Sequence, residues 1–341
     1  MIPRKKLDIG WLDLAAGVFR SLWPGNRRAA QKAAEEAFLP GGNCLASLSE
    51  RSAFDVALGA YQFPPGSEVL ISAMTVKPFP EICKARGLVP IPIDLDMTTL
   101  AMRREILEQA VNEKTRVLVC AQLMGSRIPL DEYLEFARQH NLVVFEDCAQ
   151  AFTGDEFRGN PDVDVSMFSF GPIKTASALW GGITRFKDPA IREKASDIQD
   201  QQPVQSRSKL FARVLKYVIL FCLDREDVAN KSFLNFTVVN QVCQFQHQGS
   251  YPIFKLMERR LRRFKPKRVL ERTAHAEYFI SLTPDLLRPS ADAPYHSYWI
   301  FPILVKDRRA AIEHLWSKGF DSTVGPSSFL VADAEPGYEQ F

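Results

Sequence analysis

The sequence lacks the cysteine pairs, metal-ligand spacings and long apolar runs that mark several classes of protein. Its six cysteines form no CxxC pair, and its five histidines have no ligand spacing with cysteines or carboxylates, so we expect reduced thiols and no metal site. The longest apolar run, residues 217–223, is far shorter than the roughly 20 residues of a membrane-spanning helix. Acidic residues rather than an apolar region follow the basic residues 4–6, which argues against a signal peptide and favours a cytoplasmic protein.

The sequence also has little net charge, because its formal value is only +3. Nucleic acid is therefore not expected as a partner. The basic run 259–263 is interpreted as a solvated helix face, since Leu256, Leu261 and Phe264 supply an apolar side at helical spacing; contact with the phosphates of a nucleotide-linked substrate is the alternative. A second basic and apolar stretch, residues 209–223, could lie on a membrane surface, but burial at a subunit interface is favoured.

Short apolar runs alternate with amphipathic helices from Cys44 onward. This alternation predicts an α/β fold in which a mostly parallel sheet is flanked by helices on both faces. The 341 residues are enough for this large domain and a smaller one. About six strands are predicted, at residues 68–72, 88–93, 116–121, 142–146, 165–170 and 182–186.

The chain divides into three predicted parts. Residues 1–40 form an N-terminal helical arm, which ends at Pro40 and the two glycines after it. Residues 41–250 form the large α/β domain, with a helical insertion at about 190–250. Residues 251–341 form a small C-terminal α+β domain with helices at 254–264, 269–282 and 308–318 and a strand at 298–305.

Two polar segments follow predicted strands and so meet at one edge of the sheet: EDCAQ at residues 146–150 and SFGPIK at residues 169–174. Lys174 lies in a turn where partial desolvation would lower its pKa and favour imine chemistry. Asp147 could pair with a protonated pyridine nitrogen. Taken singly, neither residue is strong evidence for such a site. A lysine after a strand is usually a surface charge, and an aspartate there is usually a helix cap.

Together the two segments resemble the pyridoxal 5′-phosphate (PLP) dependent nucleotide-sugar aminotransferases of the DegT or StrS family. Members of that family carry Glu-Asp-x-Ala-Gln after one strand, then Ser-Phe-x-Pro-x-Lys and a Gly-Gly, which is Gly181-Gly182 here. The resemblance runs from about residue 47 to 186 and weakly from 295 to 324. It implies the fold of the large aspartate-aminotransferase-type enzymes, with a PLP-binding large domain, and a homodimer.

The resemblance also implies roles for individual residues. Lys174 would form the Schiff base with PLP, and Asp147 would bond the pyridinium nitrogen. Gln150 would approach the ring or its phenolic oxygen. Ser169 would hold the phosphate together with the turn that opens a helix at 53–58, whose free N–H groups attract anions. The implied cofactor-binding residues are thus Lys174, Asp147, Gln150, Ser169, Ser49, Arg51, Ser52 and Thr75.

The sequence departs from the family pattern in three places. Glu50 replaces a glycine beside the phosphate site, so we expect its carboxylate to turn outward and Arg51 to compensate. Val76 replaces an aromatic residue that stacks on the cofactor, and Phe79 is a candidate substitute. The resemblance further leads us to expect a final strand and helix after Ser327-Ser328, so that the sequence would be truncated.

The predicted function is transfer of an amino group from an amino acid, with glutamate favoured, to a keto group of a sugar nucleotide or similar metabolite in polysaccharide biosynthesis. Two alternatives stay open. One is a non-catalytic relative that keeps the fold as a binding or scaffold module. The other is a PLP-dependent sugar dehydratase or lyase, which Lys174 disfavours because histidine replaces this lysine in relatives that resemble dehydratases. No GxGxxG, GxxxxGK[ST] or GxSxG motif supports a nucleotide-binding enzyme or a hydrolase.

Overall fold

The computed structural model describes residue 2 and residues 7–222, 242–323 and 329–332. Three features of the sequence lie outside the described residues: the basic segment 4–6, the end of the stretch 209–223, and Ser327-Ser328.

A seven-stranded sheet forms the centre of the molecule. Its strand order is β1-β9-β8-β7-β5-β2-β4, and β9 runs antiparallel to both of its neighbours while β8, β7, β5, β2 and β4 are parallel. The predicted fold class, a mostly parallel sheet flanked by helices, is confirmed. The strands are β1 Cys44–Ser47, β2 Glu68–Ser72, β4 Val89–Ile93, β5 Thr115–Ala121, β7 Val143–Asp147, β8 Val165–Ser169 and β9 Gly182–Phe186; the short strands β3 Met74–Val76, β6 Ser126–Arg127, β10 Tyr295–His296 and β11 Phe329–Val331 form two further ladders.

Helices cover both faces of the sheet because the central strands are apolar on both sides. In β5, Val117 and Val119 point into one core cluster, whereas Leu118 points into another on the opposite face. This arrangement leaves the ends of the strands as the place where polar side chains can meet. The helices are α1 Trp11–Leu22, α2 Arg27–Phe38, α3 Glu50–Tyr61, α4 Pro78–Ala85, α5 Arg104–Ala110, α6 Asp131–His140, α7 Pro189–Asp200, α8 Arg207–Cys222, α9 Val242–Phe245, α10 Tyr251–Arg262, α11 Lys267–Leu282 and α12 Arg308–Ser317.

The predicted strand at 298–305 is wrong. Tyr298 has a φ of 47°, which a strand cannot accommodate, and residues 301–305 form no ladder. Ile303 and Leu304 are 37% and 45% exposed, so the apolar run that suggested a buried strand is not buried. The chain pairs instead through β10, which lies against β6. The division into an arm, a large domain and a small domain stays a prediction.

No helix in the described part of the chain has both the length and the apolar character that crossing a bilayer requires.

Candidate active site

Asp147 and Ser169 lie at the same edge of the sheet, because each is the last residue of a parallel strand and the two strands, β7 and β8, are neighbours. Asp147 is only 5% exposed, and its Oδ1 accepts a hydrogen bond from the backbone N–H of Ala149 at 2.8 Å. Gly182, the first residue of β9, pairs with Ser169. This edge therefore carries a buried carboxylate and a hydroxyl at the ends of two neighbouring strands.

Lys174 lies in the loop between β8 and β9, which we call the lysine loop and define as residues 170–181. Its side chain is half-buried, and its Nζ lies 4.6 Å from the ring centre of Trp299. Removal from water lowers the pKa of Lys174, and the nearby carboxylates of Glu50 and Asp147 partly offset this effect. The amine is therefore easier to deprotonate than an ordinary lysine and close enough to Asp147 for a direct electrostatic interaction.

Trp299 reaches Lys174 because its segment docks on the turn after β5. Ser297 N–H donates to the carbonyl of Gly125 at 2.7 Å, and a Cβ at Gly125 would lie 2.6 Å from the backbone nitrogen of Trp299. Only glycine allows this approach. The indole Nε1 then donates to the carbonyl of Ile173 at 3.3 Å, beside Lys174.

The lysine loop has a fixed, unusual backbone. Ala176 and Leu179 adopt left-handed φ values of 54° and 62°, which are strained for residues with a Cβ. Two groups from distant parts of the chain hold this shape. Asp8 Oδ2 accepts the N–H of Ala176 at 2.7 Å, and Arg260 Nε donates to the carbonyl of Ser177 at 3.0 Å.

The start of α3 lies against the same edge of the sheet. Ser49 caps this helix, and its Oγ accepts the N–H of Ser52 at 3.2 Å. A Cβ at Gly182 would lie 2.6 Å from the backbone nitrogen of Glu50, so the glycine lets the helix begin this close to β9. The free N–H groups of the first helical turn thus lie next to the strand end that carries Ser169, an arrangement that suits an anion such as a phosphate.

Glu50 does not turn outward, so that expectation is wrong. Its side chain is buried, with 6% exposure, and its carboxyl makes a hydrogen bond with that of Asp147 and lies within electrostatic range of Lys174. Burial, and then the proximity of Asp147, raises the pKa of Glu50 well above its usual range. Where these two carboxyl groups meet, burial therefore favours the neutral form of Glu50.

The remaining predicted residues lie around this centre. Gln150 is buried, and its Oε1 accepts the N–H of Met124 at 2.8 Å. Arg51 does not pair with Glu50; its guanidinium lies 5.4 Å from the ring centre of Phe245. Thr75 is buried in β3, which follows the end of β2.

Phe79 cannot face a cofactor, so its proposed role as the stacking residue is wrong. It is fully buried in an apolar cluster that includes Phe54, and its ring stacks on Phe54 with 4.3 Å between ring centres. The sequence prediction also missed Trp299 as a neighbour of Lys174, and it missed Asp8 and Arg260 as supports of the lysine loop. None of these three residues belongs to a motif that the sequence analysis identified.

The chain belongs to the DegT/DnrJ/EryC1/StrS aminotransferase family, whose model matches residues 18–216, more than half of the sequence. This finding confirms the resemblance that the two segments suggested. A GDP-perosamine synthase from Escherichia coli O157:H7 is 31% identical over 152 residues, which are 44% of this chain and 42% of that relative. The chain thus matches less than half the length of that curated relative.

Solved structures with the same fold cover nearly the whole chain. The aminotransferase TlmJ from Streptoalloteichus hindustanus superposes with a TM-score of 0.71 at 20% identity, over 96% of this chain and 86% of that one. The Escherichia coli GDP-4-keto-6-deoxy-D-mannose-3-dehydratase with bound hydrated PLP has a TM-score of 0.69 at 16% identity, over 94% and 84%. The chain therefore has the same fold as these enzymes, and the expected cofactor is confirmed at the level of the family.

The residues present fit PLP by their chemistry. A lysine with a lowered pKa, a buried aspartate, and a helix start with two serines are the groups that an aldehyde, a pyridinium nitrogen and a phosphate require. The exception is Glu50, whose buried Oε1 has no hydrogen-bond partner among the described residues.

Proposed function

We propose that the protein is a PLP-dependent aminotransferase that moves an amino group from an amino acid, glutamate being favoured, to a keto group of a sugar nucleotide or similar metabolite. The observation that carries the proposal is the meeting of Lys174 and Asp147 at one sheet edge, within electrostatic range of each other. The two sequence motifs alone could occur by chance in loops that lie far apart in the fold. A buried carboxylate beside an amine with a lowered pKa is the pair that this chemistry uses.

Each residue has a role in the proposal. PLP supplies an electron-withdrawing ring that lets an amino nitrogen pass between carbon skeletons. Lys174 would hold the cofactor through Nζ, and the same amine, when released from the cofactor, would move a proton at the amino-bearing carbon. Asp147 keeps the ring nitrogen protonated. Ser49, Ser52 and Ser169, with the first N–H groups of α3, bind the phosphate.

Gln150, Arg51 and Thr75 complete the proposed cofactor-binding set. The Oε1 of Gln150 is held by the backbone of Met124, which leaves the amide nitrogen as the atom that would reach the ring or its phenolic oxygen. Arg51 is within electrostatic range of Lys174, and its positive charge would favour an anionic cofactor even though its guanidinium lies over Phe245. Thr75 lies just beyond the end of β2 at the same sheet edge.

The sugar nucleotide is proposed as acceptor because the curated relative carries the name GDP-perosamine synthase. The dehydratase neighbour keeps elimination as a second candidate. An amine at residue 174 favours transamination, since it could hold the aldehyde form of the cofactor and move the proton that nitrogen transfer requires.

The proposal also includes a homodimer, a cytoplasmic location and a role in polysaccharide biosynthesis. The division at residues 40 and 250 into arm, large domain and small domain is part of it. These points rest on the family resemblance and on the four buried cysteines, Cys44, Cys83, Cys120 and Cys148, which suit a reducing compartment.

The test is covalent labelling of Lys174. Purified protein is incubated with PLP, reduced with borohydride and mapped by mass spectrometry. We expect the label on Lys174 and a reducible absorption band that Lys174→Ala abolishes, whereas Lys194→Ala, at an exposed lysine of α7, keeps it. Glutamate should then change the spectrum of the unreduced wild-type protein.

Two results would contradict the proposal. A reducible band that persists in Lys174→Ala would show that another amine holds the cofactor. A folded wild-type protein that retains no cofactor absorption after incubation with PLP and removal of the excess would favour the scaffold alternative. Asp147→Asn should keep the label but lose the glutamate response, because a neutral amide cannot hold the ring nitrogen protonated.

A further inference from the structure

Glu50 lies close to three groups that a bound PLP would need. Its backbone nitrogen is at the start of α3, where the phosphate would bind. Its carboxyl forms a hydrogen bond with Asp147, the proposed partner of the ring nitrogen, and lies within electrostatic range of Lys174, the proposed partner of the aldehyde. The side chain of Glu50 therefore extends across the volume between the phosphate site and the ring site.

The carboxyl of Glu50 is poorly satisfied in this position. Its Oε1 is buried and has no hydrogen-bond partner among the described residues, although the residue is only 6% exposed. Leaving a buried polar atom unpaired costs free energy. A glutamate kept here at such a cost indicates a site shaped for another, better satisfied occupant.

Asp147 has limited room for donors. The N–H of Ala149 already occupies its Oδ1, and Glu50 supplies the second hydrogen bond. A protonated ring nitrogen that binds Asp147 would have to share this carboxylate with Glu50. The two donors therefore compete for one carboxylate.

We propose that the Glu50 side chain occupies the cofactor volume in the cofactor-free protein and must leave Asp147 and Lys174 before PLP can bind. This inference rests on the proposed function and adds to it a built-in competitor of the cofactor. The apparent affinity for PLP is then reduced by the fraction of molecules in which Glu50 has moved away. The torsions of a glutamate side chain allow this movement without unfolding α3.

The groups that face Glu50 come from several elements. Asp147 is at the end of β7, Cys148 follows it, Lys174 is in the lysine loop, and Arg51 is the next residue of α3. Lys174 and Arg51 favour the charged form of Glu50, but burial and Asp147 outweigh them. Burial and Asp147 thus favour the neutral form of Glu50 at the position where it would compete with the cofactor.

The test compares cofactor affinity in three variants at this position. Wild-type protein, Glu50→Ala, Glu50→Gly and Glu50→Gln are freed of cofactor and titrated with PLP and with phosphate-free pyridoxal, and binding is followed by the absorption band. The matched control is Glu132→Ala, at an exposed glutamate in the first turn of α6. Circular dichroism confirms that each variant is folded. Two truncating variants, Ala and Gly, are included so that the test remains possible if one of them does not fold.

We expect Glu50→Ala and Glu50→Gly to bind both PLP and pyridoxal about tenfold or more tightly than wild type. Glu50→Gln should stay close to wild type, because its amide fills the same volume and can still donate to Asp147. Glu132→Ala should change neither affinity.

Two outcomes would overturn the inference while leaving the proposed function intact. In the first, wild type labels on Lys174 but Glu50→Ala and Glu50→Gly bind PLP no better. In the second, only PLP gains affinity and pyridoxal does not, which would mean that Glu50 merely repels the phosphate. If no protein in the series labels on Lys174, both the inference and the proposed function fail.

Discussion

Arg260 and Asp13 form a buried ion pair beside the lysine loop, with Nη1 2.6 Å from Oδ2 and side-chain exposures of 10% and 11%. The same guanidinium donates through Nε to the carbonyl of Ser177, and through Nη2 to the backbone and carboxylate of Asp8. Arg260 therefore joins α1, α10 and the loop that carries Lys174.

The first prediction concerns this arginine. Arg260→Met should lower the free energy of unfolding by about 3–5 kcal/mol, because it leaves the Asp13 carboxylate buried with fewer donors. Urea denaturation measures the change. Arg260→Lys should recover little of it, since one ammonium cannot reproduce the planar fork that reaches Asp13, Asp8 and Ser177.

Arg262 provides the control for that experiment. It lies on the same helix and pairs with Glu258 at 3.2 Å, but its side chain is 55% exposed. Arg262→Met should therefore cost less than about 1 kcal/mol. An equal loss in the two variants would show that the buried network does not contribute the extra stability.

The second prediction concerns Gly182. In Gly182→Ala the new Cβ would lie 2.6 Å from the backbone nitrogen of Glu50, so the start of α3 must move away from Ser169. The free energy of unfolding should fall by about 1–3 kcal/mol. Binding of PLP should weaken more than binding of pyridoxal, because the displaced N–H groups serve the phosphate. Titration with the two compounds measures this difference.

Gly10→Ala is the matched control, since a Cβ there would meet only Asp13 Oδ2, at 3.8 Å. It should leave both affinities unchanged. If Gly182→Ala binds PLP as wild type does, the close approach of α3 to β9 is not what builds the phosphate site.

The sheet could be predicted from the sequence because its strands are short apolar runs with turn residues at both ends. The predicted strands 68–72 and 182–186 agree with β2 and β9 at both ends. Strand β1, Cys44–Ser47, was missed because four residues are too few to show a periodic pattern. The prediction of a strand at 298–305 was wrong for the opposite reason. This run is apolar, but no strand lies beside it in the described structure.

The candidate site could be predicted only as far as local sequence reaches. Asp147 and Lys174 follow strands, so the sheet itself brings them together. The inward direction of Glu50 depends on a tertiary environment that includes Lys174, and the docking of Trp299 depends on the turn at Gly125. Such contacts join distant segments and leave no motif.

The third prediction concerns the stability of cofactor-free protein as a function of pH. Glu50 has a raised pKa in the folded state and an ordinary value of 4.5 when unfolded. Above pH 4.5 the unfolded chain releases a proton that the folded protein keeps, so Glu50 makes folding less favourable as pH rises towards its folded pKa. Glu50→Gln should thus gain stability over wild type as pH rises, and the two should converge near pH 4.5.

Thermal unfolding at a series of pH values measures this difference. Glu132→Gln serves as the control, because its exposed carboxylate loses little hydration on folding. A stability difference between wild type and Glu50→Gln that is constant over the series would mean that Glu50 titrates as an ordinary surface acid.

The fourth prediction concerns His296, which is fixed as the neutral imidazole. Its Nδ1 accepts the N–H of Tyr298 at 2.8 Å, so a second proton on the ring would face a donor. Its Nε2 lies 2.8 Å from the hydroxyl of Ser290. Burial, and then the charges of Arg288 and Arg272, lowers the pKa of His296 to about 4.

A histidine with a lowered pKa contributes stability above its ordinary value of 6.5 and loses it as pH falls towards 4. The loss should amount to about 3 kcal/mol or less over that range. His296→Asn should remove this acid sensitivity, because an asparagine oxygen can still accept the N–H of Tyr298 but cannot take up a proton. Chemical denaturation between pH 6.5 and 4 is the measurement. His275→Asn, at an exposed position on α11, should retain the acid sensitivity of wild type; equal slopes in wild type and His296→Asn would contradict the role given to His296.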